Sequence, residues 1–311
     1  MLRALCAVLS LLLFVQPAMA GKRIALSFDD VPRARGGFLS PDERTQRLIA
    51  ALKAAQVRQV AFFLNPGRLT QADGAGGEAR IGAYVKAGHV IANHSFSHPA
   101  LRRTSVADFL ANIDKAEDWL KGRQGYRPWF RFPFLDEGRS DKVKRDAVRT
   151  GLKARGLRNG YVTIDASDWN VENLASQALA SGVPLNRAAL RDHYVALHVE
   201  AANFYDDLAR KTLGRSPAHV MLLHETDMAA LYIADLVAAL RADGWTIIPI
   251  DTAYKDRIGR EMPDVPSAQG TLTEALAWQK GLAEPRWYEF NDVEKAGARF
   301  RRDVLGERKP Q

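Results

Sequence analysis

Two acids, Asp29 and Asp30, stand side by side at the end of the apolar run IALSFDDVP. His94 and His98 follow four residues apart in NHSFSHP, and Arg131 sits among aromatic residues in WFRFPF. Asp165 and Asp168 fall in IDASDW, and His224 closes VMLLH. Two imidazoles and one carboxylate, with positions left open for water, make a site for zinc or a similar divalent ion. Ser95, Ser97 and Pro99 favour a loop over a helix, where both rings can still converge. The same spacing also suits ordinary surface or core histidines. Neighbouring residues at a strand end point in different directions, so one acid can bind metal while the other serves as a general base. The alternative for the Asp-Asp pair is a turn or a helix cap, which Pro32 and the following Gly36-Gly37 would suit. A guanidinium in an apolar strand needs an acidic partner, and Asp29 is the natural candidate for Arg131. A structural ion pair elsewhere is the other reading of that arginine. His224 has the chemistry of a general acid toward a leaving amine, and Asp168 would hold its ring and favour the protonated form.

Elements must bring these residues together. Apolar runs alternate with helical patterns along the chain: RIALSFDD, QVAFFLN, HVIANHS, WFRFPF, GYVTIDASDW, VMLLHET and WTIIPID. The runs are nearly continuous in apolar residues, as strands buried on both faces are. Their alternation with helices predicts a parallel α/β fold, a barrel or a doubly wound sheet. Chemistry in such folds gathers at the C-terminal ends of the strands. The polar residues expected there are Asp29, Asp30, Asn65, His94, His98, Arg131, Asp165, Asp168, His224, Glu225 and Asp251. After Tyr254 the sequence changes character, with Pro263, Pro266 and Pro285 and then Trp278 and Trp287. That stretch, 255–311, is expected to be an extension packed on a main domain of 21–254, or a small binding element.

The N-terminus reads as a secretory signal over 1–20: Arg3, an apolar run from Ala4 to Val15, then Ala18-Met19-Ala20. The run is shorter than the roughly 20 residues that span a bilayer, so no transmembrane segment is expected. Cys6, the one cysteine, lies inside that run, so thiol catalysis, cysteine zinc sites and disulfides are excluded for a processed chain. The formal charge of +8 is scattered among acids, with no basic-aromatic motif for nucleic acid. An exported protein, periplasmic or secreted, is expected.

Taken in order, LSFDD, HSFSH, RFPF, DASDW and LLH resemble the motifs of the polysaccharide deacetylases, carbohydrate esterase family 4, with the NodB homology domain. The resemblance implies a distorted barrel of about seven strands and helices, with TIM-barrel-like order. It implies that Asp30, His94 and His98 bind a divalent metal, usually zinc, with cobalt or another ion as alternatives. It implies that Asp29 is the base, oriented by Arg131, and that His224 is the acid, supported by Asp168. Trp169 and Leu222 would shape the pocket for an acetyl methyl group, and the Phe134 backbone N–H would help hold the oxyanion. The implied activity is removal of N-acetyl groups from a glycan such as peptidoglycan, a chitin-like chain or poly-N-acetylglucosamine. Other readings are a same-fold hydrolase of an O-acetylated glycan or a non-sugar amide, and a catalytically silent glycan-binding protein of the envelope. Two departures from the family pattern stand out: Val31 replaces a glycine, and Leu135 follows Phe134 where Tyr-Gly is common. Both are expected to alter the groove wall.

Overall fold

A computed structural model of the chain describes residues 21–307. The expected signal segment, with Cys6, lies outside the described residues. Among the described residues nine strands are formed: β1 (Arg23–Val31), β2 (Ala61–Leu64), β3 (Val90–Asn93), β4 (Tyr126–Phe130), β5 (Asp136–Arg139), β6 (Arg158–Asn159), β7 (Ala218–His224), β8 (Thr246–Ile247) and β9 (Ala268–Gln269). Ten α-helices accompany them: α1 (Pro41–Ala54), α2 (Gly77–Lys86), α3 (Val106–Leu120), α4 (Lys142–Ala154), α5 (Asp168–Ala180), α6 (Arg187–Leu213), α7 (Asp227–Ala242), α8 (Ile250–Ala253), α9 (Leu272–Gln279) and α10 (Val293–Asp303).

The main sheet is parallel, in the order β6-β4-β3-β2-β1-β7, with β8 added to β1. Strands β1, β2, β3 and β7 are buried on both faces, which is why they read as unbroken apolar runs. One face packs Phe28, Phe62 and Ile91 against the helices, and the other packs Ala25, Phe63, Val90 and Val220 inside the curl of the sheet. Helix starts follow the local chemistry. Ser40 and Glu43 form a capping box at α1, and Ser105, Asp141, Asn186 and Thr226 accept from the first amides of α3, α4, α6 and α7.

The run Gly160–Trp169 departs from the expected strand. β6 ends just before it, a single bridge, Ile164 to Met221, is the regular strand pairing within it, and Asp168 begins α5 instead of ending a strand. The segment still spans the gap between the two sides of the sheet. Gly160 N donates to Phe130 O on one side, and Leu222 N donates to Ile164 O on the other. The Thr163 hydroxyl accepts from Val220 N and donates to Val220 O, so a side chain takes places that a second backbone would fill. The last expected strand also shortens to two residues, because Pro249 lacks an amide donor and α8 begins directly after it.

Residues after Tyr254 run back over the C-terminal rim of the sheet. β9 pairs antiparallel with β5. Leu272 N donates to Val162 O, and Leu276, Ala277, Tyr288 and Phe300 are buried in the cores described above. Among the described residues no helix is long and apolar enough to cross a membrane.

Candidate active site

Asp29 and Asp30 close β1, and the register of the sheet sets Asp29 beside His224 on β7. Asp29 is 2 % exposed. Its Oδ1 accepts from Arg131 Nη1 at 2.6 Å. Arg131 is spent entirely on position: Nε donates to Gly160 O, Nη1 also to Ser27 Oγ, and Nη2 to the Tyr254 hydroxyl. Its guanidinium carbon lies 3.8 Å from the centre of the Phe63 ring. Burial raises the pKa of Asp29, and the Arg131 charge opposes that rise. Gly160 has no room for a side chain, since a Cβ would lie 2.6 Å from the Phe63 ring.

Asp30 turns the other way. Its backbone is left-handed, at φ 69°, as are Ser95 at 67° and His98 at 60°. That twist brings three ligand atoms within 4.8 Å of one another, one each from Asp30, His94 and His98. His98 Nε2 is 3.2 Å and His94 Nε2 3.7 Å from Asp30 Oδ1. His94 Nδ1 lies 2.9 Å from the Arg131 carbonyl, which accepts only if that nitrogen carries the proton. The Nε2 lone pair therefore faces Asp30. Burial lowers both imidazoles to about 3, so both are neutral at physiological pH, the form in which histidine binds metal. Burial by itself would raise the Asp30 carboxyl, but His224 and Arg68 overcome it and hold the pKa well below the usual range. Asp30 Oδ1 is buried and accepts no hydrogen bond, with Arg68 Nη2 standing off at 3.5 Å. An ionised oxygen left without a hydrogen bond, facing two imidazole lone pairs, fits a divalent cation.

The loop carrying the histidines is held from below. Asn65 donates to His94 O and Ser95 O, Ser95 N donates to Asn93 Oδ1, and His98 N donates to Ser95 Oγ. Asn65 thus supports the loop instead of facing the cleft. Glu225 is likewise structural, accepting from the Tyr84 hydroxyl and from Arg33 N. Asp251 does not join the site, being paired with Arg127 and Gln59.

His224 Nδ1 donates to Asp168 Oδ1 at 2.7 Å, and its backbone N–H donates to Asp168 Oδ2 at 2.8 Å. Burial disfavours the imidazolium, but the Asp168 carboxylate outweighs it and lifts His224 to about 9. Asp168 itself, resisted by burial, is held low chiefly by the His224 charge. Asp165 sits on the cleft wall, and burial raises it to about 6.

One open cleft of about 700 Å³ gathers Asp29, Asp30, His94, His98 and His224 with Trp169, Leu222, Phe134 and Leu135. Arg131 and Asp168 stand behind it, each touching a cleft residue. The Phe134 side chain is 56 % exposed, and its ring centre lies 4.4 Å from that of His98. Leu135 does line the cleft, as expected. Val31 does not: it is fully buried in the core beside Leu64, because the left-handed backbone at Asp30 and the register shift between Phe28 and Val31 break the alternation that would otherwise set it on the Asp29 face.

Several residues that shape the site carried no readable signal. Tyr254 and Ser27 fix Arg131, and they come from strand interiors or a short helix distant in sequence. Arg33 and Arg68 reach Asp30 at 3.1 Å and 3.5 Å. Arg33, three residues on in DVPR, could have been suspected; Arg68 could not.

Comparison with known proteins bears on the same stretch. A family model described as polysaccharide deacetylase matches residues 16–155. The chain is 29 % identical over 166 residues to the peptidoglycan-N-acetylglucosamine deacetylase of Bacillus cereus, covering 52 % of each protein. It is 30 % identical over 163 residues to the peptidoglycan-N-acetylmuramic acid deacetylase PdaC of Bacillus subtilis, covering 49 % of this chain and 28 % of that protein. The chain thus spans about half or less of the length of these relatives. In fold it is similar to the chitin deacetylase from Colletotrichum lindemuthianum, with a TM-score of 0.51 at 18 % identity, over 76 % of this chain and 91 % of that one.

Proposed function

We propose that this chain, which a polysaccharide deacetylase family model matches over residues 16–155, is a metal-dependent hydrolase removing N-acetyl groups from an N-acetylated glycan. The observation that carries the reading is the buried Asp30 Oδ1, which accepts no hydrogen bond and is faced by the two histidines. Asp30, His94 and His98 would hold the divalent ion, zinc or cobalt, which when bound polarises a carbonyl and makes a neighbouring water acidic.

The remaining chemistry falls to the chain's own groups. Asp29 takes the proton of the attacking water as the new carbon–oxygen bond forms. Arg131 keeps the Asp29 carboxylate aimed and opposes the rise in pKa that its burial causes. Leu222 and Trp169 receive the acetyl methyl group, and the Phe134 N–H donates to the developing oxyanion. His224, protonated below about pH 9, gives its proton to the sugar nitrogen as the carbon–nitrogen bond breaks. Acetate and a free amino sugar result. An exported site of action, periplasmic or secreted, accords with a glycan of the cell envelope as substrate.

The test is acetate release from N-acetylglucosamine oligomers and from peptidoglycan. Release should cease on chelation and return with zinc or cobalt. Release confined to O-acetylated or non-sugar substrates would replace this reading with an esterase or amidase of the same fold. Glycan binding without release in the presence of metal would replace it with a silent binding protein.

A further inference from the structure

Among the described residues, the large apolar side chains left exposed divide by type. The aliphatic ones, Val143, Leu179, Val183, Met262 and Val293, do not line the cleft. The aromatic ones, Phe134, Trp278 and Trp287, all line it. Scattered aliphatic exposure needs no explanation, whereas aromatic exposure confined to one cleft marks a binding surface. Trp278 and Trp287 come from the stretch after Tyr254, outside the five motifs that build the reaction centre.

The two tryptophans are held in place by their neighbours. Thr271 and Glu274 form a capping box at the start of α9, and Glu274 also accepts from the Tyr205 hydroxyl. Asn291 ties the segment after Trp287 to the barrel, donating to Asp165 O at 3.1 Å and accepting from Ser167 Oγ at 3.0 Å. The Arg286 guanidinium lies 5.0 Å from the centre of the Trp278 ring and backs it, while the indole stays 37 % exposed. Trp287 is 45 % exposed although Tyr288 beside it is buried. An indole offers a flat, electron-rich face and a polar edge. A pyranose ring offers the complement, a face of C–H groups rimmed by hydroxyls. Gln269, exposed on the same wall, adds polar atoms for such a rim.

We propose that Trp278 and Trp287 form a sugar-binding subsite on the cleft wall beyond the reaction centre, so that the substrate is an oligosaccharide extending past the sugar that loses its acetyl group. The proposal rests on the reading of the cleft as a glycan deacetylase site. It explains why the cleft, at about 700 Å³, is far wider than an acetamido group requires.

The test is calorimetric titration of the full-length, zinc-loaded protein with tetra-N-acetylchitotetraose and with N-acetylglucosamine, in parallel with acetate release from both. The tetramer should bind at least tenfold more tightly than the monomer. Trp278→Ala with Trp287→Ala should erase about tenfold of tetramer affinity, equal to ~1.4 kcal/mol, and leave monomer affinity unchanged. Trp278→Phe with Trp287→Phe should keep most of the advantage, which a general unfolding defect would not allow. Equal binding of tetramer and monomer by the native protein, or full tetramer affinity in the double alanine variant, overturns the subsite. Tryptophan-dependent tetramer binding without acetate release upholds the subsite and overturns the deacetylase reading. Acetate release indifferent to both tryptophans does the reverse.

Discussion

Asp29 and Asp30 are adjacent in sequence yet meet different partners, and their substitutions should therefore fail in different ways. Asp30→Ala removes the oxygen that faces His94 and His98, so bound zinc and turnover should vanish together. Asp29→Asn keeps the shape but removes the proton acceptor, so zinc content should stay near one per chain while kcat falls by roughly 10²–10⁴-fold. Metal analysis beside steady-state kinetics separates the two, and a fully active Asp29→Asn enzyme would overturn the assignment. The His224–Asp168 pair makes a second, independent prediction. As the proposed general acid His224 must act protonated, and Asp168 raises its pKa to about 9, so activity should fall as pH rises through that value. Asp168→Asn withdraws the raising charge and should move the alkaline limb of kcat/KM to lower pH; an unmoved limb would assign it to another group. At this scale the sequence was most legible, because metal ligands and proton carriers must be specific residue types. What stayed hidden were Tyr254, Ser27 and Arg68, whose types are common and whose partners lie far away in the chain.

Elements set these side chains only if the loops between them hold still. The loop after β1 is pinned by Asp227 at the start of α7. Its Oδ2 accepts from Phe38 N and Leu39 N, and its Oδ1 from Arg44 Nε at 2.8 Å. The pair is wholly buried, and Gly36 approaches so closely that a Cβ there would sit 2.1 Å from the carboxylate. Asp227→Ala leaves Arg44 buried without its partner and should cost about 3–5 kcal/mol, read as a lowered denaturant midpoint. A loss below ~1 kcal/mol would mean that the loop, not the ion pair, carries the stability. The strands buried on both faces were legible from their unbroken apolar runs. The Gly160–Trp169 stretch was not, because part of its bonding to β7 runs through the Thr163 hydroxyl, and a hydroxyl leaves no periodic trace. The start of α5 at Asp168 was masked for a different reason: the residue is both a helix opener and the partner of His224.

For the whole molecule, the stretch after Tyr254 is continuous with the barrel's own cores. Leu272 and Leu276 pack with Tyr161, Val162 and Leu222, while Tyr288 and Phe300 join the larger core with Tyr205. Ending the chain after Tyr254 would bare that surface, so the truncated protein should be recovered mostly insoluble, where an autonomous barrel would remain soluble and cooperatively folded. Proline and tryptophan spacing announced a change of character there but not its docking, since irregular chain packs without periodicity. The left-handed backbone at Asp30, Ser95 and His98 carries a consequence for the history of such a protein. A side chain at positive φ costs roughly 1–2 kcal/mol that glycine does not incur. Two of these three positions are proposed metal ligands, so on that reading the fold is under tension at the residues that activity needs. Selection for heat resistance alone would favour glycine at those positions first. Asp30→Gly should accordingly melt above Asp30→Ala, both lacking the ligand, and a lineage freed from its substrate would lose its chemistry while its fold grew more durable.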